Sequence, residues 1–189
     1  MRILVDTNVF LEILLDQAKA DEARALLLQT DRHEFLISDY ALHSIGVLLF
    51  RRNQLGTFAS FVEDVIVSGC AALVSLAPGD MTAVMAAADR FRLDFDDAYQ
   101  YAASRKLGLR LVSYDADFDR TPDGRLLPAL APRLSLTVKR YAETGPRVSR
   151  LRILSYFFAA SSAAFSSARP PRRTFSTALL PSWQAYSNI

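Results

Sequence analysis

Hydrophobic positions along the chain fall into two alternating patterns. Short runs rich in Val, Ile and Leu occur at Ile3–Val5, Phe35–Ile37, Ala72–Leu76 and Leu109–Val112, and each reads as a buried strand. Between them lie stretches with helical character. Residues 21–28 are rich in Ala and Leu, and Ala41–Arg52 carries Leu42, Ile45, Leu48 and Leu49 before Gly56. Phe58, Phe61, Val62, Val65 and Ile66 form a further stripe, and another helix begins at Asp80 and runs through Met85 and Ala88. Asp96 is placed to cap a last helix, with Ala98, Tyr101 and Ala102 facing inward and Gly108 ending it. Strands of three to five residues alternating with helices predict an α/β fold, a parallel sheet of about four strands covered by helices on both faces.

Past about Ala142 this pattern stops. Residues 1–142 are expected to form one domain, and 143–189, mixed in Ser, Ala, Arg and Pro, a disordered or loosely packed tail. Leu151–Ala164 is apolar but contains Arg152 and three Ser, and is shorter than the roughly 20 residues that span a bilayer, so no membrane segment is expected. Charge follows the same division. All 20 Asp and Glu and 16 of the 22 Lys and Arg lie in residues 1–144, giving that part a net charge of −4, while residues 145–189 hold six Arg and no acid. The domain therefore lacks the overall basic character of a non-specific nucleic-acid binder. A lone Cys70 excludes an intrachain disulfide framework and a cysteine-based zinc site. With Asp6 interrupting the first apolar run, no signal peptide is read, and a cytoplasmic location is expected.

In open parallel sheets, ligands gather at the carboxyl ends of the strands. Two predicted strands run straight into acids there: Ile3-Leu4-Val5-Asp6 and Leu111-Val112-Ser113-Tyr114-Asp115. A third acidic group, Asp94-Phe95-Asp96-Asp97, opens the helix that leads into the second of these strands. If the first and last strands are neighbours, Asp6, Asp97 and Asp115 meet at one edge. Carboxylates so close repel one another unless a cation lies among them. With imidazole and thiolate scarce, the fitting cation is hard, Mg²⁺ or Mn²⁺, and such ions commonly complete their shell with phosphate oxygens. Each acid also has a simpler reading: Asp6 as a turn residue, Asp96 as a helix cap, Asp97 as a first-turn charge favoured by the helix dipole, and Asp117 and Asp119 as solvated loop charges. His43, amid apolar residues, reads first as a packed histidine.

Val5-Asp6-Thr7-Asn8-Val9-Phe10, with Asp96-Asp97-Ala98-Tyr99 and Leu111-Val112-Ser113-Tyr114-Asp115-Ala116-Asp117-Phe118, resembles the PIN domain family, most closely its VapC-type toxin branch. The resemblance covers about residues 1–130. It implies a PIN-like three-layer fold and a metal-dependent endoribonuclease that hydrolyses RNA phosphodiester bonds as the toxin of a toxin–antitoxin pair. It further implies a homodimer, and a small antitoxin protein that covers the acidic pocket. Asp6, Asp97 and Asp115 match the family's first, third and fourth metal acids and are the expected catalytic residues. Asn8 and Ser113 match supporting polar positions, and Asp117 stands beside them. The family's second acid, a Glu in the helix after strand two, has no counterpart in Ala41-Leu42-His43-Ser44-Ile45. His43 or Ser44 takes about that place, with Asp39 and Glu12 as further stand-ins. Tyr40 and Tyr114 are candidate platforms for RNA bases. Two other functions stay open: a PIN-fold module that binds RNA or protein without turnover, for which the missing Glu argues, and a phosphotransferase using Asp6 as nucleophile, which would want a second acid where Asn8 stands.

Overall fold

The computed structural model describes residues 1–131, so the predicted boundary at 142 and the tail lie outside the described residues. Four strands, β1 (Arg2–Val5), β2 (Glu34–Ser38), β3 (Ala71–Val74) and β4 (Arg110–Val112), form one parallel sheet in the order β3-β2-β1-β4. After β1 come α1 (Thr7–Leu14) and α2 (Ala20–Leu27); after β2 come α3 (Asp39–Arg51) and α4 (Leu55–Phe61), the last continuing into a π-helical turn, Val62–Val67. A 3₁₀ turn at Pro78–Asp80, then α5 (Met81–Phe91) and α6 (Phe95–Leu107), lead from β3 to β4, and a second 3₁₀ turn follows at Ala116–Arg120.

Successive side chains on a strand point to opposite faces, and the sheet is covered on both. Ile3, Val5, Phe35 and Ile37 pack on one face with Val9, Phe10, Ile45, Leu49 and Phe61 from the helices between β1 and β3. On the other face Leu4, Leu36 and Leu111 meet Ala103 and Phe118, beside a core shared by α5 and α6 around Val84, Ala98 and Tyr99. Helices, sheet, helices is the three-layer arrangement expected from the sequence.

The chain winds outward from β1 to β3 and then crosses back to place β4 on the far side of β1. Leu4 pairs with Leu111 and Val5 with Val112. The winding direction thus reverses between β1 and β4, and the loops leaving these two strands diverge there to open a crevice. Thr7 and Asn8 open a helix that the sequence pattern did not single out, with Val9, Phe10 and Ile13 buried. One local expectation is corrected. The cap of α6 is Asp94, not Asp96: Asp94 has extended backbone and its Oδ1 accepts from the Asp97 N–H at 2.9 Å, leaving the Asp96 side chain out of the capping role. No helix among the described residues is long and apolar enough to cross a membrane.

Candidate metal centre

Asp6 sits at the end of β1 and is the N-cap of α1, only 5% exposed. Its carboxylate accepts four hydrogen bonds: Oδ1 from the Thr7 N–H (2.6 Å) and Gln100 Nε2 (2.6 Å), Oδ2 from Asn8 Nδ2 (2.7 Å) and Ser113 Oγ (2.6 Å). Asn8 in turn accepts the Tyr114 N–H at Oδ1, and Ser113 Oγ accepts the Asp115 N–H, so the loop after β4 is laced to the start of α1 through these two side chains. Asn8 and Ser113 thus bond both to Asp6 and to the turn that presents Asp115.

Across the crevice, the first turn of α6 presents Asp97. Among the described residues no donor satisfies its carboxylate. One oxygen each from Asp97, Asp115 and Asp117 lies within 4.8 Å of the others. Ligand oxygens on opposite sides of a Mg²⁺ octahedron stand about 4.2 Å apart, so small side-chain adjustments would bring this set onto one ion. Asp117 also pairs with Arg120, and the Asp117 N–H donates to Asp115 Oδ1 at 2.8 Å. Asp119, the expected bystander, pairs with Arg125 at 3.2 Å. Among the described residues the crevice is lined by Asp6, Asn8, Tyr40, Ser44, Asp94, Asp96, Asp97, Gln100 and Asp115, together with Thr7, Leu11 and Ala41, and by no Lys, Arg or His. That oxygen-only donor set suits Mg²⁺ or Mn²⁺ and offers nothing to a soft metal.

The residues on α3 separate cleanly. Ser44 lines the crevice, its Oγ 3.5 Å from Asp96 Oδ2. His43, one step further back and about 100° around the helix, is exposed and borders an apolar groove with Leu42, Val47, Phe50 and Phe58. It takes no part in the acidic site. Neither do the other stand-ins: Asp39 accepts from the Tyr99 hydroxyl (2.8 Å), and Glu12 accepts the Lys19 N–H (2.7 Å). Tyr40 lies in the crevice wall against Phe95 and Tyr99, whereas Tyr114 is covered by Lys19 at 4.3 Å on another surface. Gln100, Asp94 and Asp96 are site residues for which the sequence had suggested no such role.

Burial pushes the Asp6 carboxyl up to about 6, against the hydrogen bonds from Ser113, Thr7 and Gln100. Asp97 rises to about 7, first through burial and then through repulsion from Asp94, Asp6, Asp115 and Asp117. Both folded values exceed the ordinary 3.8. The stability these groups allow is therefore fully present below that value and is lost as pH rises through about 6 to 7. Above that range the acids are charged and repel one another unless a cation lies among them. Mn²⁺ should accordingly raise the unfolding midpoint strongly at pH 8 and little at pH 5, where protons compete for the same oxygens; calorimetry at the two pH values checks this. An equal shift at both would place metal binding elsewhere.

With this geometry in place, comparison with known proteins is informative. The family model for the PIN domain matches residues 3–124. No curated protein matches the chain in sequence. Among solved structures, the sarcin-ricin loop cleaving toxin VapC20 of Mycobacterium tuberculosis superposes with a TM-score of 0.58 at 20% identity, covering 67% of this chain and 99% of that one. A toxin–antitoxin complex from Klebsiella pneumoniae gives 0.53 at 18% identity, with 67% and 97% covered. VapBC2 of Rickettsia felis, bound to a DNA fragment from its promoter, gives 0.52 at 12% identity, with 66% and 96% covered. At these identities the structural likenesses speak for the fold.

Proposed function

The chain belongs to the PIN domain family, and from that premise we propose that it is a Mg²⁺- or Mn²⁺-dependent endoribonuclease acting as the toxin of a toxin–antitoxin pair. The observation that carries this reading is the meeting of Asp6, Asp97 and Asp115 in one crevice whose wall, among the described residues, carries no Lys, Arg or His, with Asp117, paired to Arg120, close beside Asp97 and Asp115. Asp97, Asp115 and Asp117 would hold the cation, with Asp6 as a further ligand. When bound, a divalent cation supplies Lewis acidity to the scissile phosphate and lowers the pKa of the attacking water. Asn8 and Ser113 keep the acids in register across the β1–β4 gap. Tyr40 and the half-exposed Phe95, with ring centroids 5.1 Å apart at the crevice, form a surface on which an unpaired base can stack, which favours single-stranded or looped RNA. In place of a carboxylate on α3, Ser44 lines the crevice and faces Asp96 of α6.

An antitoxin and a second copy of the chain are the proposed partners. The similar structures include toxin–antitoxin assemblies, and exposed Phe50 (59%) and Leu55 (50%) on α3 and α4 leave apolar surface that a protein partner would cover. A cytoplasmic location accords with RNA as substrate.

The test is cleavage of a panel of structured RNAs by purified protein with Mg²⁺, Mn²⁺ or EDTA. Cutting that requires metal and stops in EDTA is expected. No cutting by folded protein with either ion would overturn the nuclease reading in favour of a binding module. The missing Glu and the Ser44 in its place favour that second reading, and RNA retention without turnover is what it predicts.

A further inference from the structure

A carboxylate has about four acceptor positions, and on Asp6 all four are taken by protein donors. A cation can reach Asp6 only by displacing one of them. The Thr7 N–H belongs to the first turn of α1 and cannot leave without unwinding it. Asn8 Nδ2 and Ser113 Oγ are bonded to each other at 3.0 Å and hold the backbone of Tyr114 and Asp115, so moving either dismantles the turn that presents Asp115. Gln100 is different. Among the described residues its long side chain is tied, apart from Asp6, to the Ser38 hydroxyl alone, at 3.3 Å. Ser38 Oγ accepts the Ala41 N–H, and its hydrogen then points to Gln100 Oε1, which turns the Gln100 NH₂ toward Asp6. Gln100 also lies one helical turn after Asp97 on α6, on the crevice side of the same helix.

We infer that the Gln100 carboxamide holds the position on Asp6 Oδ1 that a divalent cation held by the other acids would need in order to gain Asp6 as a further ligand, and so tunes the metal affinity of the crevice. The inference rests on the proposed metal-dependent reading. The Gln100 N–H donor keeps the buried carboxylate oriented; to offer Oδ1 to a cation, the amide would have to swing off it. The chain thereby trades affinity for a preassembled site. Gln100 is a positioning residue, and its removal has an unusual signature: binding gains, where mere damage to the site would weaken it.

Full-length protein, Gln100→Met and Gln100→Ala are titrated with Mn²⁺ at pH 8 by electron paramagnetic resonance of the free ion, with melting curves to verify folding. Asp97→Asn, alone and combined with Gln100→Met, reports whether the ion enters the crevice. Methionine keeps the length of the side chain without its donors, and alanine provides a second route should methionine misfold. Losing a charge-assisted hydrogen bond that competes with the ion should tighten Mn²⁺ binding about tenfold or more, and Asp97→Asn should abolish the gain. Wild-type binding that is unchanged or weakened in folded Gln100 variants would overturn the inference while leaving the metal site standing. Absence of binding in every folded protein would overturn both the inference and the metal-dependent reading beneath it.

Discussion

Asp97→Asn is expected to reduce metal-dependent RNA cleavage on the order of 10³-fold while raising the melting temperature of the metal-free protein. Both effects come from one side chain. The Asp97 backbone is anchored by Asp94, so the helix start does not depend on the Asp97 carboxylate. That carboxylate has no protein donor among the described residues, and four neighbouring acids repel it. Its oxygens are thus available to a cation and costly without one. Asparagine preserves shape and removes the charge: the repulsion disappears, and with it a ligand whose loss takes several kcal/mol of transition-state stabilisation. Single-turnover cleavage across a Mn²⁺ titration, together with calorimetry in EDTA, reads both. Cleavage within tenfold of wild type at saturating metal would remove Asp97 from the ligand set. A fall in metal-free stability would show that its carboxylate is doing structural work the geometry does not reveal.

The sheet was legible because its strands are buried on both faces. Ile3–Val5 and Phe35–Ile37 have no polar alternation to hide them, whereas the meeting of Asp6 and Asp115 hung on the condition that the first and last strands be neighbours, which the β1–β4 pairing meets. The same density of apolar residues hid α1. Val9 to Leu15 is apolar at every position but Glu12, so a 3.6-residue stripe cannot stand out. His43 and Ser44 could have been separated by the helical wheel alone. Ala41, Ile45 and Leu49 define the buried face of α3, and Ser44 lies on its crevice flank while His43 points to solvent. The cap of α6 could not, because Asp94 and Asp96 are equally able acceptors, and only the extended backbone at Asp94 decides between them. Gln100 was least visible. Its one local mark is polarity between the inward Tyr99 and Ala102, and its partner Asp6 is 94 residues away.

Asp6→Ala is expected to destabilise the fold, and by an amount that falls as the pH rises. The loss has two parts. Removing the N-cap of α1 costs about 1 kcal/mol. Stranding Gln100 Nε2 and Ser113 Oγ, both in buried residues, costs about 1–3 kcal/mol for each donor left unpaired. Set against this is the burden the wild type carries once Asp6 ionises. With the folded carboxyl at about 6 and the ordinary value at 3.8, raising the pH from 4 to 8 costs wild type roughly 2–3 kcal/mol that the alanine variant never incurs. At pH 4 the full penalty of the lost cap and the stranded donors should appear, on the order of 3–7 kcal/mol. At pH 8 the relief of the buried charge should offset roughly 2–3 kcal/mol of it. Urea denaturation of both proteins in EDTA at pH 4 and pH 8 measures the difference, in which titrations common to both proteins largely cancel. A penalty independent of pH would mean that Asp6 ionises as readily in the fold as in the unfolded chain, and that its four donors compensate fully for its burial. A penalty that shrinks as expected identifies Asp6 as an acid the fold holds at a cost, which is the condition under which a divalent cation gains most by binding beside it.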